Sequence, residues 1–155
     1  MADDLQALED WLGPLLAKLT PQEQRSLARK VGQDLRRSQA KRIAAQQSPD
    51  GTAYSPRKPP PTTKAREKKG AIRKAMFAKM RTARHMKVQV TGEGVAVGFL
   101  GRTARIALVH QEGREDAVEP SGTRYRYPER RLLGFGGSDR EAIRDAVLAH
   151  VSLSS

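Results

Sequence analysis

The side chains that could do chemistry in this sequence are few and lie far apart. The histidines at positions 85, 110 and 150 show no zinc-ligand spacing such as HExxH, so each is interpreted as a surface or partner-facing residue. The chain contains no cysteine, which excludes disulfides and thiolate metal sites. Glu115, Asp116 and Glu119 cluster without an adjacent base and are interpreted as a solvated turn. We therefore predict no catalytic residue, no cofactor and no metal site.

A glycine-rich stretch, GFGG at positions 134–137, precedes a predicted helix, which is where a phosphate could bind. It lacks the lysine and the Ser/Thr of a P-loop and the spacing of a dinucleotide fingerprint. We interpret it as a loop. The sequence does not predict an enzyme.

The most distinctive chemical feature is a block of positive charge. The formal net charge is +12, of which residues 56–87 supply +11, because twelve Lys/Arg there face a single Glu. Residues 1–55 carry a net +1 and residues 88–155 carry no net charge. Such a concentration indicates a polyanionic neighbour, and the alternative is a solvated arm that only keeps the protein soluble. The residues predicted to face DNA or an acidic partner are Arg57, Lys58, Lys64, Lys68, Lys69, Arg73 and Lys74.

Composition favours one modest compact domain with extended segments. The 155 residues are 37% hydrophobic and 30% charged, with a mean hydropathy of −0.65. No segment is apolar enough for a membrane span, and the N-terminus is acidic where a signal peptide would be basic, so we expect a soluble cytoplasmic protein. The predicted organisation is a helical hairpin at 1–47, a proline-rich basic arm at 48–70 and an α+β core at 71–155.

Two amphipathic helices are predicted near the N-terminus. Apolar residues recur three and four apart over residues 4–19, and the period resumes over residues 21–46. Gly13 and Pro14 predict a kink or a break in the first helix. Thr20 and Glu23 form a capping box that opens the second. We expect the two helices to pair as a hairpin.

The middle of the chain is predicted to be extended. Ser48-Pro49-Asp50-Gly51 has the residue types of a tight turn, and the proline-rich segment that follows is anchored only by Tyr54. That segment is expected to be mobile or polyproline-like, because it has too few apolar residues to offset the entropy of ordering it. A short basic helix is predicted over residues 64–83.

The C-terminal part changes to a period of two. Residues 86–99 predict a β-hairpin with a four-residue connection at 91–94, and residues 124–127 could add a third strand. Residues 104–113 suit either a short helix or a buried strand, with Ile106, Leu108 and Val109 as the apolar members of a docking core. Gly113 suits a positive φ at the end of this run.

A last helix is predicted from a capping box at Ser138–Glu141 to about residue 150. The predicted fold class is therefore α+β: an N-terminal helical hairpin, an extended basic segment and a small antiparallel β-sheet with a C-terminal helix packed on it.

A series of short motifs lies along residues 20 to 150 in a particular order. The first group is Arg42-Ile43, Gln46-Gln47, Pro49-Asp50-Gly51, Tyr54 and Pro56-Arg57-Lys58. The second group is Ala104-Arg105-Ile106, Val109-His110, Gly113, Tyr127-Pro128, Arg130, Leu132-Leu133-Gly134 and Asp139. Together they resemble the virion morphogenesis (tail completion) family of contractile-tailed bacteriophages. The sequence departs from the family at Glu112, where an aromatic is common, and at Gly136-Gly137.

The resemblance implies a structural protein of the head–tail junction in the virion, present in the host cytoplasm during assembly. Its implied partners are copies of itself in a ring, tail tube, sheath or head-connector proteins, and genomic DNA bound without sequence preference, with no membrane. We expect the ring to be hexameric or dodecameric. The alternative is a free nucleic-acid-binding protein that uses the basic 56–87 block.

Overall fold

The computed structural model describes residues 2–57, 75–92, 94–117 and 122–154, and this part of the chain contains four α-helices and four short strands. This architecture confirms the predicted α+β class, with its N-terminal helical pair and C-terminal helix. The helices are α1 (Ala2–Leu16), α2 (Pro21–Ala44), α3 (Gly101–Glu112) and α4 (Gly137–Ser154), and the strands are β1 (Met86–Thr91), β2 (Gly94–Phe99), β3 (Glu115–Ala117) and β4 (Arg124–Arg126).

The strands form two separate two-stranded sheets, β1–β2 and β3–β4. In the second sheet β3 and β4 are antiparallel, with Asp116 opposite Tyr125. A strand therefore exists where RYRY predicted one, but it pairs with β3 and not with the β1–β2 hairpin. Strands β1 and β2 also reach Thr91 and Gly94, so the hairpin connection is two residues long and not the four that were predicted.

The chain divides into two compact units, which are described separately. The first unit comprises Met1–Ser38, Lys87–Gly98 and Phe135–Ser155, and the second comprises Gln39–Met86 and Phe99–Gly134. The domain boundaries predicted from the sequence, 1–47, 48–70 and 71–155, stay a prediction.

The core of the first unit lies where α1, α2 and α4 meet. Its buried residues are Leu19 from the connection between α1 and α2, Leu27 from α2, and Ala146 and Val147 from α4. The apolar spacing of three and four that predicted the helices places these side chains on one face of each. Half-buried side chains surround them, namely Trp11, Leu12, Leu15, Leu16, Val31, Ile143 and Val151.

The capping box predicted at the start of α2 is confirmed. The Thr20 amide donates to Glu23 Oε2 at 3.1 Å, and the Glu23 amide donates to Thr20 Oγ1 at 3.2 Å. Each side chain thus satisfies a backbone amide that the first helical turn leaves without an intrahelical partner.

The capping box predicted at Ser138–Glu141 is wrong in register. Helix α4 begins at Gly137, and Asp139 Oδ2 accepts a hydrogen bond from the Gly136 amide at 2.8 Å. Asp139, which is 2% exposed, therefore reaches back from the third helical position, and its other oxygen accepts from the Ser38 hydroxyl. The partner on α2 is about a hundred residues away in sequence, so the local pattern could not reveal it.

Two further backbone predictions need correction. Helix α1 does not break at Gly13 and Pro14 but continues to Leu16, because proline removes a single backbone donor and the helix ends only two residues later. The basic helix predicted over 64–83 is not helical in its described part, residues 75–83, which forms turns. Phe77 has a φ of 64°, and this left-handed conformation is incompatible with an α-helix.

Helix α2 approaches the β1–β2 hairpin closely at a glycine. A Cβ atom placed on Gly32 would lie 2.5 Å from Val88 Cγ1 and 2.7 Å from Val95 Cγ2. Valine is stiff at χ1, so these methyl groups cannot easily turn away. Gly32 therefore sets the spacing between this helix and the hairpin.

We predict that Gly32→Ala destabilises the protein although alanine is the better helix former. The clash should cost more than the roughly 1 kcal/mol gained in helix propensity, leaving a net loss of about 1–2 kcal/mol in the free energy of unfolding by urea denaturation. Gly13→Ala is the matched control, since a Cβ there meets nothing within 4 Å. Gly32→Ala combined with Val95→Ala should recover part of the loss. A Gly32→Ala protein as stable as the wild type would contradict the close approach.

Candidate assembly site

In the second unit most of the motif residues lie around helix α3, so the run that begins at residue 104 is helical as far as Glu112. Gly113 ends α3 in the left-handed conformation (φ 64°, ψ 48°), as its position in the sequence predicted, and its amide donates to the Val109 carbonyl. A Cβ on Gly113 would also lie 3.1 Å from the Glu129 amide nitrogen. Glycine is therefore needed both for the helix end and for the neighbouring chain.

The side chain of Gln111 fixes the chain that follows β4. Gln111 Oε1 accepts from the amides of Leu132 at 2.8 Å and Leu133 at 3.0 Å, and its Nε2 donates to the Leu133 carbonyl at 2.9 Å. The Gln111 side chain thus makes the backbone hydrogen bonds that a neighbouring strand would otherwise make. Leu132 is fully buried.

Arg130 is the most enclosed cation of the described chain, with 4% of its surface exposed. Its Nε donates to the Ser55 carbonyl at 2.8 Å and its Nη2 to the Pro56 carbonyl at 2.9 Å. Its backbone amide donates to the His110 carbonyl at 2.7 Å. Burial lowers the pKa of Arg130 from its ordinary value. The guanidinium is therefore compensated by carbonyl dipoles and joins the segment at Ser55 to the end of α3.

His110 faces the same guanidinium. Arg130 Nη1 lies 3.2 Å from His110 Nδ1, and because arginine has no acceptor, Nδ1 must accept and the imidazole is neutral. Burial first, and then the charge of Arg130, lowers the pKa of His110 to about 4. His110 is thus a hydrogen-bond acceptor held among aromatic rings, and not an acid–base group poised near neutral pH.

Four aromatic side chains and His110 form a continuous row of edge-to-face contacts. Ring centroids are 5.9 Å apart for Tyr54 and Phe77, and 4.8 Å for Phe77 and His110. The row continues from His110 to Tyr127 at 4.9 Å and on to Tyr125 at 5.0 Å. These distances suit the favourable edge-to-face arrangement.

Tyr54 anchors the segment after the turn, as the sequence predicted. Its hydroxyl donates to the Arg131 carbonyl at 3.0 Å, and burial raises its pKa to about 12. The turn itself is confirmed: the Gly51 amide donates to the Ser48 carbonyl at 2.9 Å, and Asp50 Oδ1 accepts from the Thr52 amide at 2.9 Å.

The chain is also held on the far side of positions 58–74. Gln46, itself at a φ of 58°, donates through Nε2 to the Met76 carbonyl at 3.0 Å and accepts the Met76 amide at 2.8 Å. The residues before position 58 are held by Arg130, and those after position 74 by Gln46. The contacts of Arg130 and those of Gln46 both lie within the second unit.

Gly134 completes this framework. Its carbonyl accepts from Gln39 Nε2 at 2.7 Å and from Arg42 Nη2 at 3.0 Å. A Cβ on Gly134 would lie 2.6 Å from Pro49 Cγ, so only glycine fits beside the turn. Gly134, the first residue of the stretch at 134–137 that the sequence indicated as a loop, is therefore closely packed against Pro49.

The residues singled out from the sequence have different outcomes. Pro49, Asp50, Gly51, Tyr54, His110, Gly113 and Gly134 take part in the contacts above, and Pro128 and Leu133 are half-buried. Val109 is buried, but Ile106 and Leu108 are exposed at 43% and 41%, so only part of the predicted docking core is internal. Gln39, Gln111 and the buried role of Arg130 were missed. Of the predicted DNA- or partner-facing residues, Arg57 is described and exposed, and Lys58, Lys64, Lys68, Lys69, Arg73 and Lys74 lie outside the described residues.

A search of the described residues finds no group of three or more His, Asp or Glu side chains that could hold a metal ion. In the same part of the chain, no helix combines the length and the apolar character that a membrane crossing requires.

The arrangement is thus a framework of packing and hydrogen bonds, and comparison with known proteins agrees with a structural role. The chain belongs to the phage virion morphogenesis family, whose model matches residues 3–152. It is 36% identical over 150 residues to tail completion protein S of Escherichia phage P2, which covers 96% of this chain and 98% of that protein. No solved structure matches it. The protein is a structural component of phage virion assembly.

We predict that Arg130→Gln is strongly destabilising, because it leaves the Ser55 and Pro56 carbonyls without a donor. Hydrogen bonds to charged groups are each worth about 1.5–3 kcal/mol, so we expect a loss of about 3 kcal/mol in urea denaturation. Arg130→Lys should recover little, since one ammonium cannot reproduce the spread of the guanidinium donors. The neighbouring Arg131→Gln is the control, because Arg131 is exposed and its ion pair with Glu129 lies at the surface. Equal effects of the two glutamine variants would contradict the role of Arg130.

Proposed function

We propose that the protein completes the phage tail at the head–tail junction and allows the tail to join the head. The observation that carries this proposal is the near full-length identity to a protein named tail completion protein S. The role is carried by contact surfaces around a rigid framework.

We further propose that copies of the chain form a ring, hexameric or dodecameric, around the DNA channel, in contact with tail tube, sheath or head-connector proteins. The support is the surface of the second unit: Leu100, Ile106 and Leu108 expose 67%, 43% and 41% of their area at or near α3. Among the residues that the structure describes, the β3–β4 sheet has two strands, so each strand has a backbone edge that the other does not use. Apolar side chains and free strand edges are the features with which subunits associate.

The basic block is proposed to line the channel, where it contacts DNA or an acidic partner ring. The support is its net +11 between residues 56 and 87, together with the exposed Arg57 at its start. Contacts to phosphate would be independent of sequence and would weaken steeply with salt. DNA must slide through a channel, so many weak contacts suit it better than a few strong ones.

The alternative of a free nucleic-acid-binding protein finds less support. Binding of single strands without sequence preference needs exposed aromatic rings on which bases can stack. Tyr54, Phe77, Tyr125 and Tyr127 instead contact one another and His110.

The proposed function predicts a defect in particles that lack this protein. Negative-stain images of such preparations should show tails and heads that do not join, and adding the purified protein should place extra density at the tail end and restore joining. Analytical ultracentrifugation of the protein with these tails should show several copies bound per tail. Normal joining without the protein, or one copy per tail at most, would contradict the junction ring.

The basic block is tested by the quadruple variant Lys68→Gln, Lys69→Gln, Arg73→Gln and Lys74→Gln. We expect the free energy of unfolding to stay within about 0.5 kcal/mol of the wild type, as for most surface substitutions, while the yield of DNA-retaining particles falls. The matched control removes the same charge from Arg105, Arg114, Arg124 and Arg131, each of which already pairs with a carboxylate. Normal yield and DNA retention in the block variant would show that the block only aids solubility.

A further inference from the structure

A second basic surface lies on the first unit, outside the block that the sequence indicates. Arg25, Arg29 and Arg36 project from α2 and fall within about 40° of one another around its axis at 100° per residue. Arg25 and Arg29 are exposed, and Arg36 is half-exposed. The row is about 16 Å long at 1.5 Å per residue, comparable with five base-pair steps of a duplex.

The three arginines of this row differ from the other cations of the helix in their partners. Lys30 and Arg37, about 80–140° away from the members of the row around the axis, both pair with Asp34, at 3.1 Å and 3.6 Å. Within the described residues no carboxylate pairs with Arg25, Arg29 or Arg36, and the contact recorded for Arg36 is its Nε donating to Gln33 Oε1. The row therefore keeps its charge available to an external anion.

The surroundings of the row indicate which anion it fits. The positions on one side of the row carry neutral hydrogen-bonding side chains, Gln22, Ser26 and Gln33, and on the other side Arg25 borders an apolar groove lined by Leu12, Leu16 and Ala28. All the large apolar side chains exposed in the described chain lie elsewhere, at Leu100, Ile106, Leu108, Phe135 and Leu148. A protein interface has an apolar centre, whereas contacts to a nucleic-acid backbone use guanidinium groups with hydroxyl and amide donors. The chemistry favours phosphate over an acidic protein.

We propose that the α2 arginine row, Arg25, Arg29 and Arg36, binds the phosphate backbone of duplex DNA. Its guanidinium groups suit phosphate because two N–H donors can point at two oxygens together. Contacts to the phosphate backbone carry no sequence information, so this binding would be independent of sequence. The proposal rests on the proposed function in taking virion DNA as the ligand, and it adds a contact element that the charge distribution along the chain hides.

The test measures the salt dependence of DNA binding by the full chain. A labelled duplex of about 30 base pairs is titrated by fluorescence anisotropy between about 50 and 200 mM salt, with the basic block unchanged throughout. For Arg25→Gln, Arg29→Gln and Arg36→Gln together, three lost phosphate contacts should make the slope of log K against log salt shallower by about 2.7. Affinity at the lowest salt should fall about tenfold or more.

The matched control is Lys30→Gln, Arg37→Gln and Lys41→Gln, which removes the same charge from another face of the same helix. Its slope should change by less than about 1, because two of these cations are already paired with Asp34. Equal changes in the two variants would mean that only net charge matters, and the proposal would be wrong. It would also be wrong if the wild-type protein did not bind duplex.

A third outcome separates this proposal from the proposed function. If the row variant keeps the wild-type slope but no longer joins tails to heads, the row binds an acidic protein, and the DNA assignment fails while the junction role stands. If the row variant loses the slope as expected and wild-type protein still fails to restore joining, the row is a DNA site in a protein that has another role.

Discussion

The second unit depends on one buried cation. Arg130 lies 4% exposed with its guanidinium on the carbonyls of Ser55 and Pro56 and beside the neutral His110. Burying a charge is costly, and no carboxylate lies among the contacts recorded for this side chain. The cost is offset because Nε, Nη1 and Nη2 of the planar guanidinium each donate to an oxygen or nitrogen acceptor. Arg130 thereby joins three stretches that are distant in sequence, since its backbone amide also donates to the His110 carbonyl near the end of α3.

Amide side chains extend this principle. Gln39, Gln46 and Gln111 each bind backbone groups of a segment 21 to 95 residues away. The sheets of the described chain are only two strands wide, so long connecting segments have no ladder to satisfy their buried amides and carbonyls. A glutamine side chain carries N–H donors and a carbonyl acceptor in the geometry of a peptide group. It can therefore make the hydrogen bonds that a neighbouring strand would otherwise make. This explains how a chain with only 37% hydrophobic residues holds so much irregular backbone in place.

The sequence predicted what is decided locally. The Thr20–Glu23 box, the Ser48–Gly51 turn and the positive φ of Gly113 depend on residues within four positions of one another, and all three are confirmed. The roles of Arg130, Gln111 and Gly134 depend on partners far along the chain, and no periodicity records them. The register of the α4 cap failed for the same reason, because Ser38 on α2 holds Asp139. The choice between helix and strand at residues 104–113 needed tertiary packing, since a short apolar run suits both.

The net charge of a sequence segment does not show which of its cations are paired. The described arginines fall into three environments with different consequences: Arg130 is buried on carbonyls, Arg105 and Arg124 pair with carboxylates at the surface, and the α2 arginine row faces solvent with no carboxylate partner recorded in the described chain. The last kind can exchange counterions for phosphate without first breaking an ion pair. Residues 1–55 carry a net +1 because seven acidic residues offset eight cations, yet four of those acidic residues lie on α1 and seven of the cations lie on α2. A polyanion responds to charge within about a Debye length, not to a sum along the sequence. The capacity of this protein to bind DNA therefore depends on which cations lack an internal partner, and the net charge of +12 does not measure it.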